Sequence, residues 1–300
     1  MKVSPWVPLG FLGPNLLGFL VFTLFPIVAS LVLAFCAWDL FNPPQFVGLQ
    51  NFYDLIGFHR LPDGGWEAVN PRFWYYTYNT LFLMIGLPFS IFGSLGLACL
   101  LNQRLPGKEF FRLMYFIPSI VSGVGVFLLW KWMFNPSYGL INSVLGVVGI
   151  DGPEWLESTI WAKPALMLMG FWGSVGGMNV VLYLAALQNI NPELYEAAEI
   201  DGARAWRQFW HITWPMVSPT TFFVLIMGVI AGFQGGFESA YVMTRGGPAG
   251  STTTLGYYIY QTGFEFFYMG RASAASWLLF LMVMFFSWIN WKVGERRVHY

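Results

Sequence analysis

Residues 188–219 read QNINPELYEAAEIDGARAWRQFWHITWPMVSP, a polar island between two long apolar runs. Asn191 followed by Pro192 is a helix start. The Asn side chain can accept a bond from a free backbone N–H, and a proline at the first helical position gives up no needed donor. The helix predicted from there runs to Asp201, with Glu193, Glu196 and Glu199 complementing its positive N-terminal half. Ala197 and Ala198 leave a surface that another protein could approach closely, and Gly202 stands where a helix ends with positive φ. A second amphipathic stretch, residues 205–214, puts Trp206, Phe209, Trp210 and Thr213 on one side and Arg207, Gln208 and His211 mostly on the other. Pro215 and Pro219 mark the entry into the next apolar run. The expectation is a helix–turn–helix lying at a membrane surface.

The flanks explain why a membrane is expected. The chain of 300 residues is 56% hydrophobic, 20% aromatic and only 10% charged, against about 25% charged in soluble domains. Mean hydropathy is +0.56. The deficit comes in blocks: no Asp, Glu, Lys or Arg occurs in residues 3–38, 73–103, 113–130, 164–192, 212–237 or 272–291. Each block is long enough for a span, which needs roughly 17–25 residues. One such block could be a buried core helix; six leave too little polar surface for a soluble protein. The predicted fold is therefore an all-α integral membrane protein of six transmembrane helices. These lie at about residues 9–36, 78–101, 113–133, 164–187, 218–241 and 271–291, in a single domain covering residues 1–300.

The first block follows Lys2 as a signal peptide would, but it is too long and lacks a clean cleavage site, so it reads as a retained span. With the N-terminus in the cytoplasm, Lys2, Arg104, Lys108, Arg112, Arg204, Arg207, Lys292, Arg296 and Arg297 lie inside. Arg60, Arg72, Lys131, Lys163, Arg245 and Arg271 lie outside or at the outer edge. That bias follows the positive-inside rule and puts residues 188–219 in the cytoplasm. The formal net charge is zero, which gives no bias toward nucleic acid. Cys36 and Cys99 fall in apolar blocks and read as small core residues, and three scattered His make no metal site.

The island resembles the EAA loop of binding-protein-dependent ABC importer permeases of the carbohydrate-uptake type, related to maltose and glycerol-3-phosphate permeases. Glu196, Ala197, Ala198, Asp201, Gly202, Ala203, Phe209, Ile212, Pro215 and Pro219 carry the match. PQFVGLQNFYDL (residues 44–55) and YVMTRGGPAGSTTTLGYYIY (residues 241–260) look like the same family. The resemblance implies that residues 188–217 form a coupling loop. In it Glu196, Ala197, Ala198, Asp201 and Gly202 would meet an ATPase. An interfacial helix with a solvated acidic face would give the same local pattern; the motif matches favour docking. The resemblance also implies several partners: a second related permease, two copies of the ATPase, an extracytoplasmic solute-binding protein, and membrane lipid. The chain itself has no G-x-x-x-x-G-K-[ST] loop, so ATP and its magnesium are expected on the separate ATPase, with no cofactor and no enzymatic activity on this chain.

A solute path is expected from polar groups inside spans. Glu238 is the one acid deep enough to count as intramembrane, and Gln234 lies one helical turn before it. An ionised group at the bilayer centre costs on the order of 3 kcal/mol, so it should face the bundle interior or water. Phe233 and Phe237 form the adjacent stripe, while Trp172, Gly176 and Asn179 share one face of the fourth span. Polar groups beside aromatics suit a sugar, and relatives line their pathway with these two spans. The expected lining is Trp172, Asn179, Phe233, Gln234 and Phe237. Interhelical hydrogen bonding by Asn179 and Gln234 is the alternative. At the level of function, the alternatives are a permease for a non-sugar solute and an ion-driven secondary carrier. The latter would need more intramembrane carboxylates than Glu238.

Overall fold

The computed structural model describes residues 6–103, 106–107, 109–111, 113–115 and 123–294. Lys2, Arg104, Lys108, Arg112, Arg296 and Arg297 fall outside the described residues. Among those described, five helices are long and apolar enough to cross a membrane: Phe11–Leu33, Pro71–Asn102, Ala162–Gln188, Ala205–Gln234 and Met269–Lys292. The third expected span is described over Gly123–Met133, a shorter apolar helix, and residues 116–122 before it lie outside the description. Helices are what an apolar environment demands, because each backbone donor then finds its acceptor within the segment.

The chain divides into two compact units. The first comprises residues 1–74 and 258–281. It holds α1 (Phe11–Leu33), whose most apolar stretch has no fully buried residue. After α1 the expected helix stops short of Cys36. Cys36–Ala37 (β1) pairs antiparallel with Gln45–Phe46 (β2), and Phe58–Arg60 (β3) pairs with Trp66–Ala68 (β4). The fold is thus helical with two small ribbons rather than purely helical. The segment of residues 44–55 earns its place here. From α2 (Gln50–Ile56), the buried Asn51 donates Nδ2–H bonds to the carbonyls of Ala34 and Cys36, at 2.9 and 2.8 Å. The first is a carbonyl at the end of α1, where the helix leaves acceptors unpaired, and the second belongs to β1. Arg271 pairs with Asp54 at 3.0 Å.

The second unit comprises residues 75–257 and 282–300. The second span is two helices, α3 (Pro71–Met84) and α4 (Gly86–Asn102), parted at Ile85 three residues before Pro88, whose ring cannot accept the normal ladder. α5 (Gly123–Met133) and α6 (Leu140–Val147) follow. The fourth span also divides, into α7 (Ala162–Val175) and α8 (Met178–Gln188), at Gly176 and Gly177. The core joins Ile91, Leu95 and Ala98 of α4 to Val180, Tyr183 and Leu184 of α8 and to Val217 and Val224 of the fifth span. In lipid this packing is reinforced by interhelical hydrogen bonds of roughly 0.6 kcal/mol each. Tyr183 Oη donates to Thr221 Oγ1 at 3.2 Å, and the fully buried Ser94 reaches the Ser174 carbonyl at 3.2 Å. Lys163, buried at the head of α7, sets its ammonium over the Tyr78, Phe82 and Tyr75 rings at 4.7, 5.2 and 5.4 Å.

Within the segment of residues 241–260, residues 245–254 form a polar loop between the helical turns Ala240–Thr244 and Leu255–Tyr260. Ser251, Thr252, Thr253 and Thr254 are all buried. Asn79 of α3 donates to the carbonyls of Gly250 and Thr253, and Thr80 Oγ1 accepts the Leu255 N–H at 2.9 Å.

Candidate functional site

The polar island forms α9 (Pro192–Ile200), one residue shorter than expected. Its start is as read: Asn191 Oδ1 accepts the Glu193 N–H at 3.1 Å, with Pro192 at the first helical position. Ile190 just before the cap and Tyr195 in the first turn join the same apolar cluster, the positions of a hydrophobic staple. The far end closes by two reciprocal bonds, Gly202 N–H to Glu199 O at 3.0 Å and Ala203 N–H to Ala198 O at 2.8 Å. That pattern requires the left-handed residue which Gly202 supplies at φ +72°. Glu196, Ala197, Asp201 and Gly202 are exposed and Ala198 is half-buried, so this face lies open. Ile200 extends it with 87% of its surface exposed.

The second half of the island is not a separate surface helix. Ala205–Gln208 continues through a wider turn, Phe209–Thr213, into α10 (Trp214–Gln234). In that wide turn the Trp214 N–H reaches back to Phe209 O, which lets the helix continue into Pro215. Pro219 frees the Pro215 carbonyl, and Ser218 Oγ bonds to it at 2.6 Å. The two prolines are therefore absorbed rather than marking a boundary. A strut that the motif residues do not include joins the two helices: Tyr195 Oη and Thr213 Oγ1 lie 2.9 Å apart. Gln208 Nε2 donates to the Ala203 carbonyl at 3.2 Å and ties the turn as well. The island's i, i+4 pattern places Tyr195 on the face opposite Ala197, which is the signal that could have found it.

α10 ends at Gln234, and Gly235 and Gly236 break it. A cavity of about 860 Å³ opens beside the break, lined from α3, α4, α5, α7, α8 and α10. Asn179, Gln234 and Phe237 line it, together with Thr80, Ser90, Ser174, Glu238, Ser239 and Thr254. Two of the expected residues do not. Trp172 lies on the outer surface of α7 with 61% exposed, and Phe233 is fully buried against Phe286, ring centroids 5.2 Å apart. The shared face drawn through Trp172 and Asn179 assumed one continuous helix, and the interruption at Gly176 and Gly177 turns the two residues apart. The break at Gly235 and Gly236 likewise separates Gln234 from Glu238 along the chain, yet the cavity brings them to one wall. Gly228 and Gly232 let α10 approach Leu87 and Met84: a Cβ there would come within 2.6 and 3.0 Å. The small-x-x-x-small spacing is visible in the sequence as GVIAG. Among the described residues no group of three or more His, Cys, Asp or Glu could hold a metal ion.

Residues 86–291 match the family described as binding-protein-dependent transport system inner membrane component. The chain is 34% identical to the probable ABC transporter permease protein YesP of Bacillus subtilis, over 97% of this chain and 91% of that protein. It is 35% identical to the lactose transport system permease protein LacF of Rhizobium radiobacter, over 98% of this chain and 95% of that one. Among solved structures it resembles a bacterial alginate ABC transporter in complex with an alginate pentasaccharide-bound periplasmic protein. There the TM-score is 0.82 and the identity 25%, covering 97% of this chain and 94% of that chain. The chain belongs to the family of binding-protein-dependent inner-membrane transport components. It is a multi-pass permease of the prokaryotic cytoplasmic membrane, a transport subunit.

Proposed function

We propose that this chain is one permease subunit of an ATP-driven importer for a sugar or sugar-like polyol. Its six spans place both termini and residues 188–217 in the cytoplasm. It pairs with a second related permease, two copies of an ATPase that holds ATP and its magnesium, and an extracytoplasmic solute-binding protein that delivers the solute. The sugar class is supported by the names of relatives (one for lactose, one for alginate) and by a cavity whose polar groups are amides, hydroxyls and the Glu238 carboxylate, beside Phe127, Phe171 and Phe237.

The observation that carries this reading is the mechanical continuity between α9 and the cavity. α9 is capped at both ends, presents an open face, and is bonded through Tyr195 to Thr213 at the base of the helix that runs unbroken to Gln234. In the proposed mechanism Glu196, Ala197, Ala198, Asp201 and Gly202 seat in a groove of the ATPase, where the alanines allow close approach and Glu196 pairs with a cation. ATP binding there supplies the energy that draws the two ATPase copies together. α9 then moves as a rigid body and levers the base of α10. Its glycine break lets the part beyond Gln234 respond separately, so that the cavity opens to one side and then the other. Asn179 and Gln234 hold hydroxyls and Phe237 packs a sugar face, weakly enough to release what is taken.

The test is Gly202→Leu in the reconstituted complex. The expected outcome is normal assembly in the membrane with uptake lost and the ATPase no longer stimulated by solute-loaded binding protein. Assembly with uptake at the rate of the unchanged protein would falsify the coupling assignment.

A further inference from the structure

Glu238 has no role in the reading above, yet it is the one ionisable side chain on the cavity wall. The described lining contains no Lys, Arg or His. Glu238 sits in the helical turn Phe237–Ser239, just past the glycine break, with its side chain exposed. Its Oε2 points across to α5, where a Cβ on Gly123 would lie 3.2 Å away. The two ion pairs among the described residues are His59–Glu67 and Arg271–Asp54, so Glu238 faces the cavity with no cation against it. The rest of the wall is apolar side chains, Gly and neutral polar groups.

A lone carboxylate in a cleft with low-dielectric walls has its field concentrated into the open space. A site built for carboxylate, phosphate or sulfonate groups would carry Arg or Lys, whose charge-assisted bonds recognise them. Here an anion would meet a like charge and nothing to offset it. A carboxylate can instead accept two hydroxyl hydrogen bonds at once, as neighbouring hydroxyls of a neutral sugar offer. Resting on the assignment of this cavity as the solute path, we propose that Glu238 makes it a charge filter: uncharged, hydroxyl-rich solutes pass and anionic sugars are excluded.

The experiment reads the cavity's charge directly, in the whole reconstituted importer. In a Cys36→Ala, Cys99→Ala background, Gln234→Cys supplies a reporter thiol. It is reacted with a matched pair of cationic and anionic methanethiosulfonate reagents, and each rate is divided by that for free cysteine. The corrected cationic-to-anionic ratio should be about tenfold with Glu238 present. It should fall toward one in Glu238→Gln and stay high in Glu238→Asp. A parallel arm needs no change at 238: the ratio should shrink as salt is raised. A reactive thiol whose ratio ignores both Glu238→Gln and salt overturns the charge filter while leaving the solute path standing. A thiol unreactive toward both reagents overturns the solute path itself, and the filter with it.

Discussion

Two glycines in the left-handed region stand at helix boundaries in this chain, Gly202 after α9 and Gly236 before the turn Phe237–Ser239, and they are there for different reasons. Gly202 closes α9 at φ +72°, and nothing lies within 4 Å of where its Cβ would be. Gly236 follows α10 at φ +81°, and a Cβ there would fall 2.8 Å from Thr254 Cγ2. The first position asks only for a backbone conformation, on an open surface. The second asks for the conformation and for space, because the buried threonine loop is packed against the break. An open helix end and a helix break beside a cavity can both be built on glycine, but only the break depends on what the neighbouring segment does.

The comparison is broken most directly by alanine at each position. Gly202→Ala should cost only the left-handed penalty of about 1–2 kcal/mol. Gly236→Ala should add overpacking of about 1–3 kcal/mol. The purified protein should therefore melt several degrees lower with the second change than with the first. Equal melting shifts would show that Thr254 yields freely and that the break is as open as the loop.

Next in size is the loss of a polar cavity group. Gln234→Leu should lower uptake about tenfold, taking one amide hydrogen bond to solute at roughly 1–1.5 kcal/mol. It should leave solute binding to the extracytoplasmic partner and basal ATPase activity unchanged. Loss of uptake and ATPase together, with poor assembly, would mark Gln234 as a strut between helices instead.

The smallest effect sharpens the other side. Tyr195→Phe removes one hydroxyl bond, about 1 kcal/mol, and should reduce the uptake gained per ATP hydrolysed by a few-fold. Thr213→Val should do the same, and the double variant should be no worse than either alone, since both delete one contact. Additive losses would mean that the two hydroxyls act separately and that α9 is tied to α10 by packing alone.

Much of α9 was legible in advance. Asn191, Pro192 and Gly202 punctuate α9 by rules that act within a few residues, and the structure moves only the last helical residue, from Asp201 to Ile200. The cavity was legible only in part. Asn179, Gln234 and Phe237 lie on its wall, but Trp172 and Phe233 do not, because a helical wheel carries phase across a segment only while the helix continues. The separate surface helix expected at residues 205–214 failed for a related reason. Prolines read as boundaries, yet a wide turn at Phe209–Thr213 and the Ser218 hydroxyl satisfied what they removed.

That this chain crosses a membrane, where its apolar runs and its polar island fall, and where α9 begins and ends can all be read from the order of its residues. Those properties follow from side-chain transfer energies and from local backbone chemistry, which need no distant partner. Packing between distant segments sets the rest: the break at Gly235–Gly236 faces the cavity, Tyr195 meets Thr213, and Glu238 stands on the cavity wall with no Lys, Arg or His among the described lining residues. Each of those depends on helices far apart in the chain packing at a particular rotation. That rotation is set by close contacts such as Gly228 and Gly232 against α3 and α4, not by any one segment's own pattern.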